Sequence, residues 1–480
     1  MDYTKMSIKE FVKGIKEKKF TATEACSFFV KRCKSDKKNA VCEIFSSWKN
    51  LAASVDTKIE KGEPIGILAG VPILIKDNIL YEGHISSQGS KMFENFIAPY
   101  SSTVVKKLIA ADAVIIGRVN MDEMAMGGSG RSCAFGLVKN AHSDEHTSGG
   151  SSSGSGVAVA TNLCMAALGT DTGGSVRAPA ALNGVVGIKP TFGNVSRYGV
   201  SAYTGDLDVV GVIAKNVADA KVVLDIIKGQ DELDYTTIHE QTGTMSVIQP
   251  VKTLKNVRIG RVIEVMQAAK SSPYAHVYSE VFKKLEALGT EIVDISLPGL
   301  KQIISAYYAL VTTQACSNFA RYSGMRYTNS VDAENISELC TGARSAHFGK
   351  EVKFRVMLGS LLLSRGHDYS GLYYKAKILK EKITKDFDRV LNEIDCTIMP
   401  VTYGCAPKIS DMTQNKSAEY LNDLFTVPIN IAKLPAIALP CYKTDEGLPI
   451  GIQVVGKRFT DEKMLEIAKL IESEVAYGKI

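Results

Sequence analysis

A run of serine and glycine, GGSSSGSG from Gly149, and a second turn-rich run, GTDTGGSVRAPAA from Gly169, stand on either side of an apolar stretch from Val157 to Leu168. A flexible linker has no place between apolar segments of a compact core, so the first run reads as small residues that let backbone and side chains approach closely. It fails the phosphate-loop pattern, because no Gly-Lys-Ser/Thr follows, and it fails the dinucleotide fingerprint too. In the second run, Gly173 and Gly174 lead into Ser175 directly after an apolar strand. Two glycines let the chain turn tightly enough for successive amide N–H groups to converge on one point. That geometry suits an oxyanion hole beside a nucleophile. Surface turns use the same residues, and by itself the loop leans to that plainer reading.

Lys76 changes the balance. It ends a short apolar run, Val71 to Ile75, that reads as a buried strand delivering polar groups at its tip. A free lysine titrates near ~10.4, and burial lowers that by several units, which makes a usable base at neutral pH. An isolated lysine more often snorkels to water. With Ser151 and Ser175 added, the set points to a serine nucleophile activated through a second serine by an unprotonated lysine, a form of triad logic that needs no histidine.

Apolar periodicity places helices at Ile8 to Ile15, from Thr21 through Val30, at Ala52 to Lys61, at Thr103 to Ala110 and from Gly154 through Ala160. Further helices are expected at Tyr274 to Leu288, Lys350 to Leu363, Tyr373 to Leu391 and Asp461 to Glu474. Thr21 with Glu24 offers a capping box. Strands are expected at Val71 to Ile75, Ala113 to Gly117, Met165 to Leu168, Val257 to Val262, Glu291 to Ile295, Cys396 to Met399, Ala436 to Leu439 and Ile450 to Val455. Strand–helix alternation gives an α/β class. The polar segment Gly229 to Lys255 is the one compositional break, and it reads as a surface excursion of a single domain spanning 1–480.

Of 480 residues, 45% are hydrophobic and 22% charged, which is globular composition and excludes disorder for most of the length. The net charge of +6 permits contact with a polyanion without arguing for one. The 10 cysteines form no C-x-x-C pair, and several lie in apolar runs, as expected of free thiols in a reducing cytosol. No metal site is expected: H-E-x-x-H is missing, and His142 and His146 sit in a loop-like setting. The N-terminal segment lacks the apolar core of a signal peptide. The Val157 to Leu168 stretch falls short of the ~20 residues a membrane span needs. A cytoplasmic protein with no membrane contact is the expectation.

The K-D-N after an apolar strand, G-G-S-S, and A-L-G-T-D-T-G-G-S-V-R-A-P-A together resemble the amidase signature family in order and spacing. The strings GRVNMDEMAMG from Gly117, VVGIKPTFGNVSRYGVSA from Val185 and NDLFTVPINIAKLPAIALPC from Asn422 extend the resemblance over essentially the whole chain, most closely to the glutaminase subunits of tRNA-dependent amidotransferases. The resemblance implies a single-domain α/β/α fold, a mixed twisted sheet covered by helices on both faces, with the N-terminal helices (about 1–62) packed on the same domain. It implies Ser175 as acyl-forming nucleophile, Ser151 after a cis Gly150–Ser151 bond as proton relay, and Lys76 as general base. The amides of Thr172, Gly173, Gly174 and Ser175 would form the oxyanion hole.

The same resemblance implies glutamine as substrate, its α-carboxylate held by Arg355 in KEVKFRVMLGS, its α-ammonium by Asp423, and its pocket lined by Tyr307 or Tyr308. Arg suits the first task because its fork binds carboxylate bidentately. It further implies two partners, the B and C subunits of a heterotrimer, with tRNA bound mainly through the B member. ATP with Mg2+ would be used by the partner, with no cofactor in this chain. The alternatives are a free-standing amidase of small or aryl amides and a non-catalytic scaffold subunit. Four positions depart from the family pattern: Ser153 and Gly156 in the first loop, and Asp206 and Val209 in the Thr204 to Val212 segment. These bear on the pocket or the ammonia route rather than on the triad.

Overall fold

Short runs of β-branched residues without a polar face need cover on both sides. The chain contains several, and a computed structural model, which describes residues 1–237, 250–364, 370–412 and 417–475, assembles them into one sheet. Its strands are β1 (Val41–Ile44), β2 (Pro72–Lys76), β3 (Val114–Val119), β4 (Ala166–Asp171), β5 (Val186–Lys189), β6 (Val209–Ala214), β7 (Arg258–Val262), β8 (Glu291–Ile295), β9 (Cys396–Pro400), β10 (Ala436–Lys443) and β11 (Pro449–Val455). The order across the sheet is β1-β3-β2-β4-β6-β5-β10-β11-β9-β7-β8. Two parallel blocks (β3-β2-β4 and β9-β7-β8) are joined by an antiparallel run from β4 through β6, β5, β10 and β11 to β9, so the sheet is mixed. Every residue of β2, β4, β5, β6, β9 and β11 is buried, which requires helices on both faces. This is the single-domain α/β architecture expected from the sequence. At the edge, β8 carries Glu291 and Asp294, paired with Arg258 and Arg261 of β7, charges that discourage pairing with another chain.

The serine–glycine run has a packing reason. Ser153–Ala160 is a helix whose first seven residues are all buried. A Cβ on Gly154 would lie 2.5 Å from the Ala40 carbonyl oxygen and 2.6 Å from the Asn120 nitrogen, so only glycine fits there. A Cβ on Gly156 would meet the Pro179 carbonyl oxygen at 2.9 Å.

The N-terminal helices dock on this body. Asp219 accepts from the Ile8 amide at 2.9 Å, and Arg32 donates to the carbonyls of Asn162 and Thr161. The capping box expected at Thr21 is only half formed. Thr21 Oγ1 accepts from the Glu24 amide, but the Glu24 carboxylate turns to the Tyr3 hydroxyl, 2.8 Å away. The complete box stands at Ser7 and Glu10. The helix expected from Ala52 begins at Trp48 and stops at Gly62, whose φ of 70° ends it in the left-handed region. Of the polar segment Gly229 to Lys255, residues 238–249 lie outside the described residues. Its first part is fastened to the body by Asp231, which accepts from Thr103 and Ser196. No helix among the described residues is long and apolar enough to cross a membrane.

Candidate active site

Because β2 and β4 run parallel side by side, with Ile75 opposite Leu168, their C-terminal ends open on the same edge of the sheet. Lys76 closes β2, and Asp171 closes β4 and starts the loop to Ser175. Clefts in α/β folds form outside such strand ends. Topology thus brings together residues that lie far apart in the chain.

Lys76 does not snorkel. It is fully buried, and its Nζ donates to Ser151 Oγ at 2.8 Å, Ser152 Oγ at 3.0 Å and Thr170 Oγ1 at 2.9 Å. Burial brings its pKa down to about 7, although Asp122, Asp171 and Asp208 pull in the opposite direction. The Gly150–Ser151 peptide is cis. Ser151 is buried, and its carbonyl accepts from the Asp122 amide at 3.1 Å. Ser175 is 9% exposed and faces a cavity, and its carbonyl accepts from the Ser152 amide.

The loop around Ser175 is built on one carboxylate. Asp171 accepts from the amides of Gly174 (2.8 Å) and Val176 (3.1 Å), and from Asn430 Nδ2. Arg177 holds it in a fully buried ion pair and also donates to Gln453, Asn430 and the Thr426 carbonyl. Burial works against ionisation of Asp171, but the Arg177 charge and its hydrogen bonds, with Lys189 and Asn430, outweigh it and hold the carboxyl well below the usual range. This corrects one expectation. The Gly174 N–H is committed to Asp171, so it is not directed at an oxyanion. The amides of Thr172, Gly173 and Ser175 remain. Thr172 is fixed by its side chain, which donates to Asp208 at 2.6 Å. A Cβ on Gly173 would stand 2.4 Å from the Tyr307 hydroxyl, and one on Gly174 2.4 Å from Thr426 Oγ1.

Both tyrosines line the cavity, together with Arg355, Asp423, Gly173 and Ser175. Arg355 is 6% exposed on the helix Lys350–Leu363. Its Nε donates to Glu351 and its Nη1 to the Tyr203 hydroxyl, each at 2.8 Å, and its guanidinium lies 5.3 Å from the Tyr308 ring centre. Asp423, on the helix Ser417–Ile431, accepts from the Tyr308 hydroxyl at 2.7 Å. A cation and an anion thus face one cavity floored by the proposed nucleophile.

Sequence reading missed Glu351, Tyr203, Ser152 and Thr170. The acid four positions before Arg355 on one helix is a readable signal for Glu351. Tyr203, which reaches Arg355 from a loop 152 residues away, has none. The four departures fall to the side of the triad. Asp206 bonds Lys380 at 3.2 Å on the surface, Val209 pairs with Asp171 in the β4–β6 ladder, Gly156 packs on Pro179, and Ser153 Oγ is buried without a hydrogen-bond partner.

The amidase family model matches residues 24–465 of the chain. An A-type subunit of glutamyl-tRNA(Gln) amidotransferase, numbered 2, from Clostridium acetobutylicum is 42% identical over 426 residues, covering 88% of each chain. The corresponding A-type subunit of Alkaliphilus metalliredigens is 38% identical over 485 residues, covering 100% of this chain and 98% of its own. Among solved structures, the A-type subunit of glutamyl-tRNA(Gln) amidotransferase from Thermotoga maritima superposes with a TM-score of 0.80 at 32% identity, covering 99% of this chain and 96% of its own. The peptide amidase of Stenotrophomonas maltophilia gives 0.82 at 26% identity, covering 99% and 98%.

Proposed function

This chain belongs to the amidase family, and we propose on that premise that it is the glutamine-hydrolysing subunit of a tRNA-dependent amidotransferase. The observation that carries the reading is the pairing of Arg355 and Asp423 in the cavity that Ser175 faces. A free α-amino acid with a side-chain amide presents that charge pair next to a reactive carbonyl. Full-length relatives named as amidotransferase A-type subunits support the same substrate.

In this mechanism the Ser175 hydroxyl attacks the side-chain amide carbon of glutamine. Its proton passes to Ser151 Oγ as Ser151 gives its own to the neutral Lys76 amine, which already lies 2.8 Å from that oxygen. The amides of Thr172, Gly173 and Ser175 face the oxyanion. The C–N bond then breaks, ammonia leaves with the returned proton, and a γ-glutamyl ester remains on Ser175. Water, deprotonated along the same relay, resolves the ester to glutamate. Arg355 holds the α-carboxylate and Asp423 the α-ammonium, which keeps the amide over Ser175.

The ammonia is passed to the B and C subunits of a cytoplasmic heterotrimer. The partner would use ATP with Mg2+ to activate Glu-tRNA(Gln), which would be held mainly by the B member. The test is reconstitution with those partners. Glutamine-dependent formation of Gln-tRNA(Gln), a γ-glutamyl adduct trapped by hydroxylamine, and loss of both in Ser175→Ala are expected. Rapid turnover of simple amides that is indifferent to Arg355→Ala would replace this reading with a free-standing amidase.

A further inference from the structure

The segment NMDE, at 120–123, takes no part in the mechanism, yet its last residue is a buried carboxylate with an unusual contact. Glu123 is 1% exposed. Its Oε1 accepts from the Ser90 hydroxyl at 2.6 Å, and both carboxylate oxygens accept from the Gly349 amide, at 3.0 and 2.9 Å. Gly349 is the N-cap of the helix Lys350–Leu363 and supplies no side-chain cap of its own. Glu123 therefore caps that helix from outside, 226 residues away in sequence, and puts negative charge at the positive end of its dipole. The contact is close enough to dictate the sequence of its partner. A Cβ on Gly349 would lie 2.1 Å from Glu123 Oε2.

The same segment is tied to the triad at its other end. The Asp122 amide donates to the Ser151 carbonyl at 3.1 Å, and the Asn120 carbonyl accepts from the Gly154 amide at 2.9 Å. Met124 and Ala125, which follow, are held at φ of 50° and 61°, a left-handed conformation that side-chain-bearing residues keep only where their surroundings impose it. One rigid strip thus touches the loop of Ser151 and the start of the helix that carries Glu351 and Arg355.

We propose that Glu123 is a positioning residue for substrate recognition. By fixing the N-terminus of the helix Lys350–Leu363 against the triad segment, it sets the distance from the Arg355 guanidinium to Ser175, and so the length of amino-acid amide that bridges them. The inference rests on the glutamine reading above. A helix freed from this cap moves Arg355 relative to Ser175, which weakens the grip on the α-carboxylate and narrows the preference for glutamine over asparagine. The acyl-transfer chemistry stays intact.

Glu123→Gln removes the charge and one of the two acceptor oxygens that meet the Gly349 N–H, and Ser90→Ala removes the hydroxyl that donates to the carboxylate and also accepts from the Met92 amide. Both are assayed in the assembled complex, on glutamine, asparagine and butyramide, which has no α-carboxylate. In both variants KM for glutamine is expected to rise, about tenfold in Glu123→Gln and less in Ser90→Ala, with kcat within about twofold and butyramide turnover unchanged. The glutamine-to-asparagine ratio of kcat/KM falls in parallel. Unchanged KM in both folded variants would overturn the proposal, and so would an equal loss on glutamine and butyramide, which is the mark of a merely structural cap. If Glu123→Gln does not fold, Ser90→Ala decides alone by the same criteria. Failure of the wild-type complex to hydrolyse glutamine at all, with butyramide still turned over, would remove the glutamine reading and this proposal with it.

Discussion

Lys76 Nζ stands 2.8 Å from Ser151 Oγ in a fully buried site, with the hydroxyls of Ser152 and Thr170 and, at 3.4 Å, the Thr170 carbonyl around it. All of these partners are neutral oxygens, and no carboxylate touches the amine. A lysine so placed exchanges charge for neutrality at modest cost, which is what a general base near neutral pH requires.

The pH dependence follows with a definite sign. With its pKa brought down to about 7 by burial, Lys76 is the active free amine above that pH and an inactive ammonium below it. Acylation by glutamine is expected to rise roughly tenfold from pH 6 to 8 and then level off, and Lys76→Met is expected to lose at least ~10³ in rate. Stability follows the same sign. The folded pKa is below the unfolded value of 10.5, so the unfolded chain holds the extra proton between about pH 7 and 10.5, and stability rises with pH across that window. A single-turnover profile flat between pH 6 and 8 would rule Lys76 out as the base.

Arg177 and Asp171 form an ion pair with neither side chain exposed. Removing one partner strands the other charge in the core, and Arg177→Met is expected to cost about 3–5 kcal/mol, read from urea unfolding. Because Asp171 also holds the amides of Gly174 and Val176, the Ser175 loop should loosen and kcat fall in whatever protein remains folded. A loss below about 1 kcal/mol would mean that the pair is dispensable to the loop.

Much of this architecture and site is legible in local sequence. The serine loops and Lys76 lie in short strings whose residue types point to their chemistry, whereas Arg355 and Asp423 are picked out only by the family resemblance, and most long periodic segments form the helices and strands expected of them. What escapes has physical reasons. Strands β1, β5 and β6, and the helices Val217–Ile227 and Ile303–Phe319, go unrecognised in the sequence, because short or uniformly apolar runs carry neither periodicity clearly. The expectation for the Gly174 amide fails because the loop sequence shows that its N–H groups are free to turn, but not which of them Asp171 captures. Local spacing permits a capping box with Glu24, whereas Tyr3 competes for that carboxylate from another element.

Glu472, near the end of the helix Asp461–Val475, has its pKa pushed up to about 7, chiefly by burial, with Asp219 adding to the effect and the Val217 amide opposing it. Its folded pKa thus exceeds the unfolded 4.5, so the folded protein holds the extra proton. The corresponding stability is present below about pH 4.5 and is lost as pH rises to about 7. Glu472→Gln keeps an oxygen for the Val217 amide, 3.0 Å away, and removes the titration. The variant is expected to be about 1–2 kcal/mol more stable than wild type at pH 8, and equal to it near pH 4.5. Parallel stability curves for the two proteins over that range would show that Glu472 is solvated and ordinary.

Tyr203 tests whether Arg355 must be aimed as well as present. Its hydroxyl accepts from Arg355 Nη1 at 2.8 Å in a buried setting, and its backbone amide donates to Asp208, which in turn accepts from Thr172 beside the nucleophile. Tyr203→Phe removes the first contact and leaves the second. With one orienting hydrogen bond to a charged group gone, KM for glutamine is expected to rise about 5–20-fold while kcat holds. Arg355→Lys, which loses the fork itself, should raise KM further, about 10–100-fold. If Tyr203→Phe instead lowered kcat at constant KM, the residue would be acting through Asp208 and Thr172 on the oxyanion side, and the guanidinium would need no aiming from Tyr203.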